Sequence, residues 1–231
     1  MKLTQIEKIK YFSGIIELSV LLIFTSHNNL NAQEVSNVKD LDGNIYSTTK
    51  IGSQIWMIQN LKTTRLNDGT AINLVTDKTD WAAMSAPAYC WYKNDTTYKN
   101  IYGALYNAYT ILTFKLCPVG WHVSTNDDWR ELENYLGGED VAGGKLKEAG
   151  TIHWSDPNSG ATNETLFTAL PGGSRYTNGL FLTIKNIGYW WSPGESNTFN
   201  NWYRSMYYRN NAVSRNFIDS TNGFSVRCVK D

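Results

Sequence analysis

The strongest constraint on this chain lies between Leu116 and Gly138, where the pattern changes from strand to helix within a few residues. Pro118, Val119 and Gly120 make a turn, and Trp121–Val123 reads as a short strand leaving it. Thr125 is placed to N-cap a helix, with Asp128 three residues on to reach back as in a capping box. Trp129, Leu132 and Leu136 follow at helical spacing and give that helix one apolar face, and Gly137-Gly138 stops it. A helix of about three turns pressed on a β-rich body is the expected geometry.

Around this stretch the pattern is mostly that of strands. Residues 44–50 and 54–60 read as a hairpin joined at Gly52-Ser53, and residues 88–92 as a further strand before the Asn94-Asp95-Thr96 turn. Residues 102–114 fit a buried strand and a short helix equally well, and periodicity does not choose between them at that length. A second short helix is expected over residues 141–149 despite Gly143 and Gly144, with Gly150 as its end. Residues 154–164 form a long polar loop. Strands return at residues 188–192, 202–208, 212–217 and 224–229, so the second half closes a sheet. The fold class is α+β, with antiparallel sheets and two short helices.

Charge excludes some partners. Lys plus Arg and Asp plus Glu both number 21 in the 231 residues, giving a formal net charge of zero. That balance offers nucleic acid or an anionic membrane surface no basic footprint. Aromatic residues make up 13%, including 9 Trp and 14 Tyr. Most rings of that kind pack in a core, and those turned outward make a stacking surface for sugar rings.

The N-terminus reads as an export signal. Lys2, Lys8 and Lys10 precede an apolar run over residues 15–24, and Asn31-Ala32-Gln33 offers a small residue for cleavage. The run is shorter than the ~20 apolar residues of a membrane span. We therefore expect a signal peptide over residues 1–32, a short linker over 33–39 and one domain over 40–231, exported to the periplasm, the cell surface or the medium. Cysteine is absent from the cleavage region, which disfavours a lipid anchor. An oxidising compartment lets two of the three cysteines pair. Cys117 with Cys228 is the expected bond, because the last strand should lie beside the strand that follows Pro118; Cys90 with Cys228 is the rival.

Several ordered motifs carry a resemblance. They are Gly-Trp-His-Val-Ser-Thr-Asn-Asp-Asp-Trp from Gly120, Gly143-Gly144-Lys145-Leu146-Lys147, Gly160-Ala161-Thr162-Asn163-Glu164, Ala169-Leu170-Pro171-Gly172-Gly173, Gly188-Tyr189-Trp190-Trp191-Ser192 and Gly223-Phe224-Ser225-Val226-Arg227-Cys228-Val229. With Gly43 to Leu61 and Tyr102 to Asn107 included, the chain resembles the Fibrobacter succinogenes major paralogous domain over residues 40–231. The resemblance implies a C-type-lectin-like fold, a mixed unit with two helices and a distorted antiparallel sheet that also underlies the formylglycine-generating, sulfatase-modifying domain. It implies a secreted or surface protein of a bacterium, and no assigned activity.

Catalytic chemistries find little support. Beyond residue 32 the only histidines are His122 and His153, with no HExxH pair, and both are expected to be packed structural imidazoles. No GxSxG elbow occurs, and Gly138 to Lys145 has the wrong spacing for a phosphate loop. Glu131 and Glu133 lie two apart on a helix, so they point to different sides and do not flank one glycosidic bond. The cysteines match no formylglycine-generating motif. The chain is therefore expected not to be an enzyme.

Calcium is the one cofactor with candidate ligands. Asp156, Asn158, Asn163 and Glu164 supply hard oxygens in one loop, and the competing reading is a loop held by Asx turns. Glu195, Asn197, Asn200 and Asn201 make a second polar set before Trp202. The expected function is a recognition module for an extracellular glycan or surface protein. Its ring set is Trp190, Trp191, Trp202, Tyr203, Tyr207 and Tyr208, of which alternation should turn some outward, with Glu195 and Asn197 supplying polar contacts. A structural or adhesion domain with all six rings buried is the main alternative.

Overall fold

A computed structural model describes residues 36–193 and 201–231. The export segment, and Glu195 and Asn197 with their neighbours, lie outside the described residues. Thirteen strands are described: Asn37–Lys39 (β1), Ile45–Ile51 (β2), Gln54–Met57 (β3), Asn73–Leu74 (β4), Ala88–Cys90 (β5), Leu105–Tyr106 (β6), Trp121–Val123 (β7), Ser174–Arg175 (β8), Phe181–Leu182 (β9), Ile187–Trp191 (β10), Asn201–Tyr207 (β11), Val213–Ile218 (β12) and Cys228–Lys230 (β13). The helices are Lys78–Ala82 (α1), Lys99–Tyr102 (α2), Ala108–Ile111 (α3), Asn126–Tyr135 (α4) and Glu139–Leu146 (α5).

The main sheet has the order β1-β2-β3-β13-β7, so the C-terminal strand is inserted between two others. Val229 sits opposite Trp56 on one side and His122 on the other, both pairings antiparallel. This register brings Cys228 beside the β7 turn, and it bonds Cys117 with Cα atoms 6.0 Å apart. The bond closes 111 residues of chain, a length for which the chain-entropy model assigns about 4.7 kcal/mol. Cys90, the rival, is a buried thiol whose pKa burial pushes up to about 12, which leaves it unreactive.

Alternation along this sheet divides the interior. Met57 and Cys228 enter one apolar cluster with Tyr46, Tyr106, Trp191 and Phe224, while their neighbours Trp56 and Val229 enter another. The second cluster receives the apolar face of α4, with Trp129 5.2 Å from Trp56 and 5.6 Å from Phe167. The capping box at its start is formed in full, Asp128 N–H donating to Thr125 Oγ1 and Thr125 N–H to Asp128 Oδ2. The second helix, α5, starts two residues earlier than its pattern predicts. Its glycines let the lead-in to β12 approach: a Cβ on Gly143 would stand 2.5 Å from the Ala212 carbonyl oxygen.

The ambiguous stretch, residues 102–114, is neither one strand nor one helix. It breaks at Gly103, whose φ of +76° and close approach to the Leu61 carbonyl exclude a side chain. Asn107 then caps α3 by accepting from Thr110 N–H, so β6 is left between two one-turn helices.

His122 departs from its expected place. β7 is an edge strand, and the imidazole is half-buried, with Nε2 2.9 Å from Asp128 and Nδ1 2.7 Å from Asp231. The hydrogen bond to Asp128, with that to Asp231, raises its pKa to about 9 against the desolvation that opposes it. Because the folded value lies above the ordinary 6.5, the stabilisation is complete below about pH 6.5 and is lost as pH rises through about 9. We predict that wild type is more stable than His122→Gln at pH 6, and that thermal unfolding shows the gap closing between pH 7 and 10. A gap independent of pH contradicts this assignment.

Candidate functional site

The ring-rich strands form a separate antiparallel sheet, ordered β10-β11-β12. β10 lies against the body of the protein, with Trp191 N–H donating to the Ser225 carbonyl and Ser225 N–H to that of Tyr189. Both faces of β10 are covered too, Trp190 entering one apolar cluster and Trp191 the other. Trp190 donates its indole N–H to Asn60 Oδ1 at 2.9 Å, Trp191 donates to the Tyr106 carbonyl at 2.6 Å, and neither residue has accessible surface. The expectation that they contact a ligand is corrected here: they anchor the sheet.

Register assigns the outer strands to two faces. Trp202, Arg204 and Met206 stand opposite Phe217, Arg215 and Val213. Met206 and Val213 join the core beneath them, and Arg204, buried, binds Glu133 of α4 at 2.7 Å. Its other nitrogens reach Asn126 Oδ1 and Ser192 Oγ at 3.2 Å. Burial pushes the Glu133 carboxyl up in pKa against the pull of that guanidinium. Farther out, Arg215 lies 3.8 Å above the Trp202 ring, and Phe217 meets the same ring edge-on at 5.5 Å. Trp202 is therefore partly covered by its own neighbours.

The other face carries Tyr203, Ser205 and Tyr207, with Ser214 and Asn216 from β12. Tyr203 is half-buried against Phe224, centroids 4.9 Å apart, and Phe224 stacks on Tyr189 at 4.8 Å with planes 9° apart. Tyr207 meets Tyr208 at 4.7 Å. Burial, then the neighbouring Tyr189 and Tyr176, raises the Tyr203 pKa, so its phenol stays a neutral donor. Ser214 and Asn216 are exposed. At these five positions the face presents rings, hydroxyls and an amide, and no charge.

The calcium candidates differ in what holds them. Asn158 is buried and donates through Nδ2 to the carbonyls of Glu148 and Gly150, and Asn163 binds Thr168 through both its amide atoms. Glu164, exposed, faces Lys145 at 3.4 Å, and Asp156 is exposed. Asn158 Oδ1 has no hydrogen-bond partner among the described residues, and no group of three His, Cys, Asp or Glu side chains able to hold a metal ion is found among them. His153 likewise stands beside Glu148, at 2.9 Å.

Sequence reasoning missed the buried cations that hold these parts. Lys147 donates to the carbonyls of Ser159, Tyr207 and Asn210, and burial lowers its pKa to about 8. Arg204 joins β11 to α4, and the only signal for either residue is a cation inside an apolar pattern. We predict that Glu133→Ala, which strands the Arg204 charge, lowers unfolding free energy by about 3–5 kcal/mol, whereas replacing both partners by Met costs far less. Urea titration checks this, and equal losses in the two variants contradict it.

Residues 49–230 match the Fibrobacter succinogenes major domain. No curated protein and no solved structure matches the chain. No described helix is long and apolar enough to cross a membrane. With its closing strand, main helix and aromatic sheet all inside the matched span, the chain belongs to the Fibrobacter succinogenes major domain family.

Proposed function

We propose that this chain is an exported, non-catalytic recognition module of C-type-lectin-like fold, binding an extracellular glycan on the Tyr203–Tyr207 face of its three-stranded sheet. The observation that carries this is the uncharged face itself: two half-buried tyrosines beside Ser205, Ser214 and Asn216. Rings partly sunk in the sheet lose little freedom on binding and offer π faces to sugar C–H groups, while hydroxyls and an amide match sugar hydroxyls. The disulfide is compatible with export. The fold assignment draws on the C-terminal strand paired inside the main sheet and the two longer helices packed near it.

A structural or adhesion role is the second reading, favoured by the complete burial of Trp190 and Trp191. A glycan array probed with the exported chain, with and without calcium, separates the two. Under the binding reading a neutral glycan is retained, and Tyr207→Ala weakens it about tenfold, or about 1.4 kcal/mol, without loss of fold. Unchanged binding by Tyr207→Ala with Asn216→Ala contradicts the assigned face. Absence of binding to every glycan leaves the structural role standing.

A further inference from the structure

β12 is the outermost strand of its sheet, and its outer edge forms no backbone ladder with any described residue. Residues 214–217 are exposed in succession, so side chains on both of its faces are open to water. Phe217 is 69% exposed, an apolar ring on an unpaired edge. An edge of this kind is a template for another strand.

The geometry of an antiparallel ladder limits how a second copy fits. A two-fold axis perpendicular to the sheet keeps each face continuous, so a residue on one face meets a residue of the same face in the other copy. One register opposes Arg215 to Arg215, which is repulsive. The next opposes Arg215 to Phe217 and Asp219 to Val213, so it forms no ion pair and leaves Phe217 without an aromatic partner. The third places Phe217 against Phe217 on the axis, Arg215 against Asp219 on both sides, and Asn216 against Ile218. It joins an aromatic pair to two opposite-charge pairs, the combinations that favour cross-strand pairing. Asp219 is exposed immediately beyond the strand.

We propose that two copies of this chain pair antiparallel through β12 about a two-fold axis at Phe217, joining their three-stranded sheets into one. The contact buries the Phe217 rings and places the two tyrosine faces side by side. It stands whether or not those faces bind glycan.

Sedimentation velocity of the full chain over a concentration series tests the pairing, with circular dichroism as the check on folding. Wild type should show a concentration-dependent dimer. Arg215→Glu and Asp219→Arg, both at exposed positions, should each weaken it about tenfold, since each turns the two ion pairs into like-charge contacts. An equimolar mixture of those two variants, and the double variant R215E/D219R, should restore association because the opposite charges again face one another. A wild-type protein that stays monomeric overturns the proposal. So does a dimer indifferent to the single charge changes, or a charge swap that fails to restore it.

Discussion

The structure depends on one buried node, Arg227 with Asn60. Arg227 lies in the run leading into β13 and has no accessible surface. Its guanidinium donates to Asn60 Oδ1 at 2.8 Å, to the Met57 and Phe167 carbonyls, and to that of Thr168 at 3.0 Å, and it rests 4.3 Å from the Phe167 ring centroid. Burial lowers its pKa to about 9, still above neutral, so the group folds as a cation. Asn60 is shared: its Oδ1 also accepts from Trp190, and its Nδ2 donates to the Tyr102 carbonyl and Ser225 Oγ. The end of β3, the loop at residues 165–168, α2 and the first strand of the aromatic sheet all meet there.

The same device recurs where regular structure is thin. Arg175, also fully buried, lies between the Trp81 and Phe181 rings and collects the carbonyls of Thr76, Asp77 and Gly179. Lys147 does so for Ser159, Tyr207 and Asn210 beside Trp154. A long polar side chain with several donors satisfies carbonyls that no ladder reaches, which a chain of short strands and long loops needs. Desolvating a cation is costly, and here carbonyl dipoles and ring faces offset it; only Arg204 among these four has a described carboxylate partner. The consequence reaches the surface. Trp190 and Arg204 clamp the base of the aromatic sheet, so β11 and β12 are held as a fixed projection.

What was legible in the sequence was what local rules specify. Thr125 and Asp128 announced the helix cap, Trp129, Leu132 and Leu136 its buried face, and the closing strand brought Cys228 to Cys117. Residues 102–114 were not legible, because their three short elements are set by Gly103 under Leu61 and by the Asn107 cap, contacts that periodicity does not record. Alternation failed for Trp190 and Trp191 for a related reason: a strand covered on both faces has no outward side. Lys147 and Arg227 drew no notice as buried cations, since the carbonyls that collect on a buried cation come from distant parts of the chain and leave no local pattern. His122 was expected as a packed structural imidazole; its strand was recognised, and the edge position that leaves the ring half-buried between Asp128 and Asp231 was not.

The central claim is that the Arg227–Asn60 node sets the order of the whole domain. The most direct measurement is the unfolding of Asn60→Ala by urea, followed both by tryptophan fluorescence and by far-UV circular dichroism. Removing Asn60 strands a buried guanidinium N–H and the Trp190 indole N–H together, so the account predicts a loss of about 3–5 kcal/mol, seen equally by both probes. A variant within about 0.5 kcal/mol of wild type, the range of an ordinary surface change, would contradict it.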